Sequence, residues 1–240
     1  MSHDDENRIY FSFGPDPAAM RSRRRPVGVR FESKELEELG VAMFFITIAF
    51  AVVFSDNYLL HGSFNPRAFL LALPFSFVAT LTGFFLHEVA HKISANHYGF
   101  PAAFSYNKRT LIFLSIFSII VGFLIVAPGA VYIYGRPNRK ENGVISAAGP
   151  GTNMIVGYGV AMISIPVMFF SSYLGSGLFL VGLLNLFIGA FNMIPIMPFD
   201  GSKIWKWNQA VYIVMLIFLL GPVLFFFFGF GRLFLNVFGV

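Results

Sequence analysis

The sequence predicts an all-α polytopic membrane protein of five or six transmembrane helices, with a small β or re-entrant element at the cytosolic face. Two figures and one pattern predict it. Of 240 residues, 56% are hydrophobic and only 12% are charged. A soluble domain carries roughly 25% charged residues, so too little polar surface remains to coat a water-soluble particle of this size. The pattern is a train of long apolar stretches from residue 38 onward. The absence of cysteine removes disulfides, thiolate zinc sites, iron–sulfur clusters and cysteine nucleophiles together.

Residues 1–37 differ from the rest. They hold Asp4, Asp5, Glu6, a Gly14-Pro15-Asp16-Pro17 turn, the run Arg21 to Arg25, and Glu32 to Glu37. A segment this polar is expected to be a disordered, basic cytosolic tail. It has no signal-peptide cleavage pattern. Its arginines read as topogenic, holding the N-terminus in the cytosol, or as ligands for anionic head groups. The net charge of +5 is thereby accounted for without a nucleic-acid partner. Residues 38–240 form one transmembrane domain, with no PDZ insertion and no C-terminal regulatory domain expected. His3 and His61 read as solvent-facing.

The apolar stretches are 39–60, 68–96, 110–127, 143–170, 176–196 and 207–230. A full span needs about 20 apolar residues, and 110–127 is the doubtful one. Charge counting weighs on it. If 110–127 dips in and returns, 15 of the 17 Lys and Arg lie on the N-terminal side and two lie opposite. If it crosses, the split is 11 and six. The positive-inside rule therefore favours five spans plus a re-entrant or surface-lying hairpin. After it, Ala130 to Tyr134 reads as a short strand between turns. Its edge could hold an unwound peptide by strand addition. Phe225 to Phe228 reads as lipid-facing bulk, and 229–240 as a piece that folds back at the interface.

The second stretch contains His87-Glu88-Val89-Ala90-His91. Ionisable groups in a membrane helix demand a functional reason. Residues four apart share a helix face, so both imidazoles can meet one zinc ion at about 2.0–2.1 Å. Glu88, beside them, can take a proton from zinc-bound water and return it to a leaving amine. A catalytic zinc site expects a third protein ligand. His97 competes with Asp200 for that place. His97 needs a sharp turn where the sequence has Ser94 rather than glycine. Asp200 follows Pro195 and Pro198, which end a helix, and precedes Gly201, which permits a tight turn. If 110–127 does not cross, Asp200 emerges on the same side as His87 and His91. Gly149, Gly151, Gly157 and Gly159 would let helices pack closely around a polar cleft.

These residues resemble the site-2 protease family of intramembrane zinc metalloproteases. The likeness rests on His87-Glu88-x-x-His91 with Tyr98-Gly99, on Ala148-Gly149-Pro150 with Asn153, and on Asn192-x-x-Pro195 with Asp200-Gly201. The Ala127-Pro128-Gly129-Ala130-Val131 turn is also similar. Gly151 departs from the pattern, standing where a larger apolar residue is common. The resemblance implies one Zn2+ per chain on His87, His91 and Asp200, with Glu88 as general base. It implies an endopeptidase that cleaves transmembrane segments of membrane proteins near the cytosolic side, with Asn192 binding the substrate backbone or the oxyanion. The expected setting is the lipid bilayer of a cell or inner membrane, and the oligomeric state is left open. The alternatives are a membrane zinc protease acting on soluble or lipidated chains, and a non-catalytic membrane-helix binder or transporter.

Overall fold

The computed structural model describes residues 25–55, 64–121, 129–226 and 228. Among the described residues, four helices are long and apolar enough to cross a membrane. They are α1 (Ser33–Phe54), α2 (Pro66–His97), α4 (Arg139–Phe170) and α5 (Ser172–Asn192). Between α2 and α4 run strand β1 (Ala102–Tyr106), helix α3 (Lys108–Val121) and strand β2 (Gly129–Ile133). After α5 come α6 (Asp200–Trp207) and the apolar α7 (Gln209–Phe225), which at 17 residues falls short of the other four. The count of five or six full spans is thus not reached among the described residues.

Polar residues mark the helix starts. The Asn65 side chain accepts the Ala68 N–H at α2, with Pro66 in the first turn. Asn138 and Glu141 form a reciprocal capping box at α4. Ser171 caps α5 and Asn208 caps α7. Within α2, residues Leu81–Phe85 form a π-turn in which the Leu86 N–H reaches five residues back to the Leu81 carbonyl. Such single turns recur at functional sites; here it ends two residues before His87.

The expected stretch 110–127 corresponds to α3 and the residues after it. At 14 residues and 1.5 Å per residue, α3 is about 21 Å long, against a hydrocarbon core of about 30 Å. Its flanking strands settle its direction. β1 and β2 pair antiparallel, from Tyr106 opposite Gly129 to Ala102 opposite Ile133. The segment therefore leaves and re-enters one ladder, whose strands lie about 5 Å apart, and both its ends lie on one side of the protein.

Three other expectations need correction. α1 starts at Ser33, inside the segment read as tail, and Glu35 is buried at 4% exposure. The Val27 N–H also donates to the Asn96 carbonyl (2.9 Å), so this end of the segment lies against α2. Residues 1–24, His3, His61, Ala127, Pro128, Phe227 and 229–240 lie outside the described residues. Of Gly149, Gly151, Gly157 and Gly159 on α4, Gly149 and Gly157 face close neighbours, whereas Gly151 and Gly159 have none within 4 Å of where a Cβ would sit. Helical periodicity explains the split, because 149 and 157 are eight residues apart on one face. Phe226 is also not lipid-facing: it is buried against the Phe179 ring, while Phe225 and Phe228 are exposed.

The core gathers around α5, which packs against α4, α2 and α7. A smaller cluster of Ala95, Phe100, Ala102 and Ile145 joins the sheet to α2 and α4.

Candidate metal centre

His87 and His91 lie one turn apart on the last third of α2, and both are buried. Asp200 opens α6 and is brought to them by the turn through Pro195 and Pro198. At Gly201, a Cβ would collide with the Met193 carbonyl, so only glycine lets the start of α6 press against the end of α5. Asp200 is the first residue of α6, whose N-cap is Phe199, and its carboxylate meets His87, His91 and Lys203. His97 is exposed at the end of α2, packed on Tyr98. The helix runs straight through Ser94, so His97 faces away from the centre. Among the described residues, His87, His91 and Asp200 form the group that could hold a metal ion.

The three donor atoms fit a zinc ion. His87 Nε2 and His91 Nε2 are 3.0 Å apart, and Asp200 Oδ2 lies 3.4 Å and 2.9 Å from them. Ligands about 2.0–2.1 Å from a tetrahedral ion stand roughly 3.3 Å from one another. Both Nδ1 atoms are already committed. His91 Nδ1 donates to the Ile145 carbonyl (2.8 Å), and His87 Nδ1 donates to the Asn153 side-chain oxygen. This fixes each ring with a bare Nε2 pointing inward. Two imidazole lone pairs and a carboxylate then converge, an arrangement that calls for a cation between them.

One face of α4 supplies the support. Ile145, Gly149 and Asn153 are spaced four apart. The first holds His91 and the last holds His87. Between them, a Cβ on Gly149 would lie 2.6 Å from His87 Nε2 and closer still to His91 Nε2. Asn153 is fully buried, and its amide nitrogen donates to the Gly83 carbonyl in the π-turn (2.8 Å). It thus joins the π-turn to the ligand that follows it.

Glu88 lies in the same cavity, which is also lined by Asn192, Lys203, Val131 and Ile133. The backbone N–H of Val131 meets the Glu88 carboxylate, and Glu88 Oε2 is buried with no hydrogen-bond partner. The cavity measures about 110 Å³, enough for several water molecules. Asn192 donates one amide hydrogen to the Ile188 carbonyl (3.0 Å); the amide has a second. Lys203 Nζ sits 3.5 Å from Asp200 Oδ1, the oxygen turned away from the histidines. Burial pushes the Asp200 carboxyl up, but the adjacent His91 and His87 outweigh that and hold it well below the usual carboxylate range.

The sequence reading did not reach two of these features. The first is the Asn153 contact to His87; its signal was the four-residue spacing from Gly149. The second is Lys92, an ionisable residue in the same membrane helix that also needed a partner. It is buried against Glu35.

Comparison with known proteins is consistent with this centre. No family model and no solved structure matches the chain. A protein of Methanocaldococcus jannaschii that carries the name "putative zinc metalloprotease" is 33% identical over 201 residues, which cover 82% of this chain and 96% of that protein. The chain belongs to the zinc metalloprotease family of that relative.

Proposed function

We propose that the protein is a zinc-dependent intramembrane endopeptidase of the site-2 protease type, hydrolysing peptide bonds in transmembrane segments of membrane proteins. The observation that carries this reading is the placement of the centre. Two histidines and an unpartnered carboxylate oxygen, all on a helix long enough to cross a membrane, share one cavity with room for several waters. His87, His91 and Asp200 would hold one zinc ion per chain. When bound, zinc lowers the pKa of a coordinated water and polarises a carbonyl.

The residues of the chain do the rest. Glu88 Oε2 accepts a proton as the water oxygen attacks the scissile carbonyl carbon. The same oxygen gives that proton to the amide nitrogen as the C–N bond breaks. The second hydrogen of the Asn192 amide is placed to donate to the carbonyl oxygen as charge develops there.

The substrate segment must be unwound, and β2 offers a template. The Tyr134 N–H donates to the Pro101 carbonyl (2.9 Å). Alternation then turns the backbone groups of Ala130 and Tyr132 toward β1, and those of Gly129, Val131 and Ile133 away from it. Among the described residues the sheet has two strands, and the outward edge of β2 lines the Glu88 cavity. A substrate strand added there would lie beside the metal. The charge distribution supports a cytosolic N-terminus, which puts the centre near the cytosolic face of a cell or inner membrane.

Zinc content and cleavage of a generic transmembrane substrate by wild type beside Glu88→Gln, in detergent, test the reading. About one zinc in each protein is expected, with cleavage inside the apolar segment by wild type only. Equal cleavage by Glu88→Gln would refute it.

A further inference from the structure

We infer that Glu35, with Glu38, is a positioning residue: the two carboxylates close the outer edge of β1, tie the sheet to the metal-bearing turn, and leave the β2 edge as the side that takes substrate. The inference rests on the proposed strand addition at β2 and names what directs it there.

The contacts are specific. Glu35 Oε1 accepts the Phe104 N–H (2.9 Å), and its Oε2 pairs with Lys92 Nζ. Glu38 Oε2 accepts the Tyr106 N–H (3.2 Å). Phe104 and Tyr106 are positions of β1 whose backbone groups turn away from β2, so α1 occupies that edge with side chains. An open edge would offer a second place for an extended chain, remote from Glu88. Lys92 directly follows His91, and its side chain and that of Glu35 are 2% and 3% exposed. One carboxylate therefore fixes α1, β1 and the ligand-bearing turn of α2 against one another. The Phe104 ring adds a second tie, meeting the Phe84 ring edge-on at 5.7 Å.

A pair that served stability alone would be replaceable by apolar residues, since such exchanges are often neutral or stabilising. That separates the two roles. The test measures kcat and KM for a fluorogenic peptide carrying a single transmembrane segment, together with zinc content. In Glu35→Leu with Lys92→Met, zinc content should hold while KM rises about tenfold, the scale of one net hydrogen bond. The conservative pair E35Q with K92M, whose amide oxygen can still accept the Phe104 N–H, should recover most of that loss. Unchanged KM in the apolar pair, with zinc retained, would overturn the inference and leave the protease reading standing.

If the apolar pair does not fold, Glu38→Leu decides. Glu38 sits at a less buried position, and its loss should raise KM about threefold; an unchanged KM would overturn the inference. Absence of cleavage by wild type would instead remove the parent reading. Hydrogen exchange then still reads the tie: the β1 amides of the apolar pair should exchange at least tenfold faster, and unchanged protection would refute it.

Discussion

Gly149→Ala is the sharpest test of the metal centre, because it adds one methyl group where two histidines already sit. The new Cβ would lie 2.6 Å from His87 Nε2, about 0.8 Å inside the 3.4 Å at which ordinary contact begins, and nearer still to His91 Nε2. Neither ring can yield freely. Each is held at Nδ1, one by the Asn153 side chain and one by the Ile145 carbonyl. A displacement near 1 Å is large against a zinc–nitrogen bond of about 2.0–2.1 Å. Disturbing only the outer partners of such ligands typically weakens metal binding by about 10- to 100-fold, so displacing the ligands themselves should weaken it at least that much. Gly151→Ala is the internal control. It lies on the same helix, gains the same backbone rigidity of roughly 0.5–1 kcal/mol, and meets nothing within 4 Å. Competition against a chromogenic chelator, with helix content monitored in parallel, compares the two. Loss of zinc by Gly149→Ala with retention by Gly151→Ala is expected. Equal zinc affinity in the two variants would refute the described packing of α4 on the ligands.

Other outcomes follow from the same coordinates. Asn153→Ala removes the acceptor at His87 Nδ1 and the donor to Gly83, and should weaken zinc binding by about 10- to 100-fold, read by the same competition. Asp200→Ala should empty the site while His97→Ala keeps zinc at wild-type content; the reverse pattern would return the third ligand to His97. Ile133→Pro deletes an N–H on the outward edge of β2 without touching the ladder to β1, so cleavage should fall with zinc content unchanged. In the metal-free protein the Asp200 carboxyl is held below its unfolded value near 3.9. Its contribution to stability is therefore present above that pH and lost as pH falls below it. The stability difference between wild type and Asp200→Asn should be present at pH 5 and shrink below pH 4, as an acid titration of unfolding would report.

Much of the site was legible because its chemistry is carried by residue types that a membrane otherwise excludes. His87, Glu88 and His91 stand out in an apolar helix by cost alone, and Asp200 stands out as a carboxylate at a helix break. The strand at Ala130 to Tyr134 was marked by its flanking turns and lies one residue from β2. What escaped were relations between segments distant in sequence. Glu35 sits 57 positions from Lys92, and nothing local distinguishes it from the exposed Glu32 and Glu37 beside it. Polarity alone assigned all of them to a tail. Gly149, Gly151, Gly157 and Gly159 of α4 look alike in sequence, and only the rotation of the helix separates Gly149 from Gly151. The charge count favoured a non-crossing segment at 110–127 but could not supply the antiparallel ladder that joins the strands on either side of it.

The ladder also explains why the centre can exist at all. His87 and His91 lie near the end of α2, and Asp200 follows the end of α5. Three donors can meet only if both helices finish on one side. Between those ends the chain makes the α3 excursion and then runs through α4 and α5. Two long helices restore the starting side, but a third crossing at α3 would leave Asp200 a full membrane thickness away. Closure of β1 on β2 brings the two ends of that excursion together, because Tyr106 and Gly129 are paired. The same closure sets β2 against the Glu88 cavity. The parity that assembles the metal ligands and the edge proposed to hold substrate are thus consequences of one hairpin. Breaking the ladder with Tyr132→Pro, whose N–H points into it, should lower zinc retention as well as cleavage, whereas Ile133→Pro should lower cleavage alone. Identical effects of the two prolines on zinc would contradict this coupling.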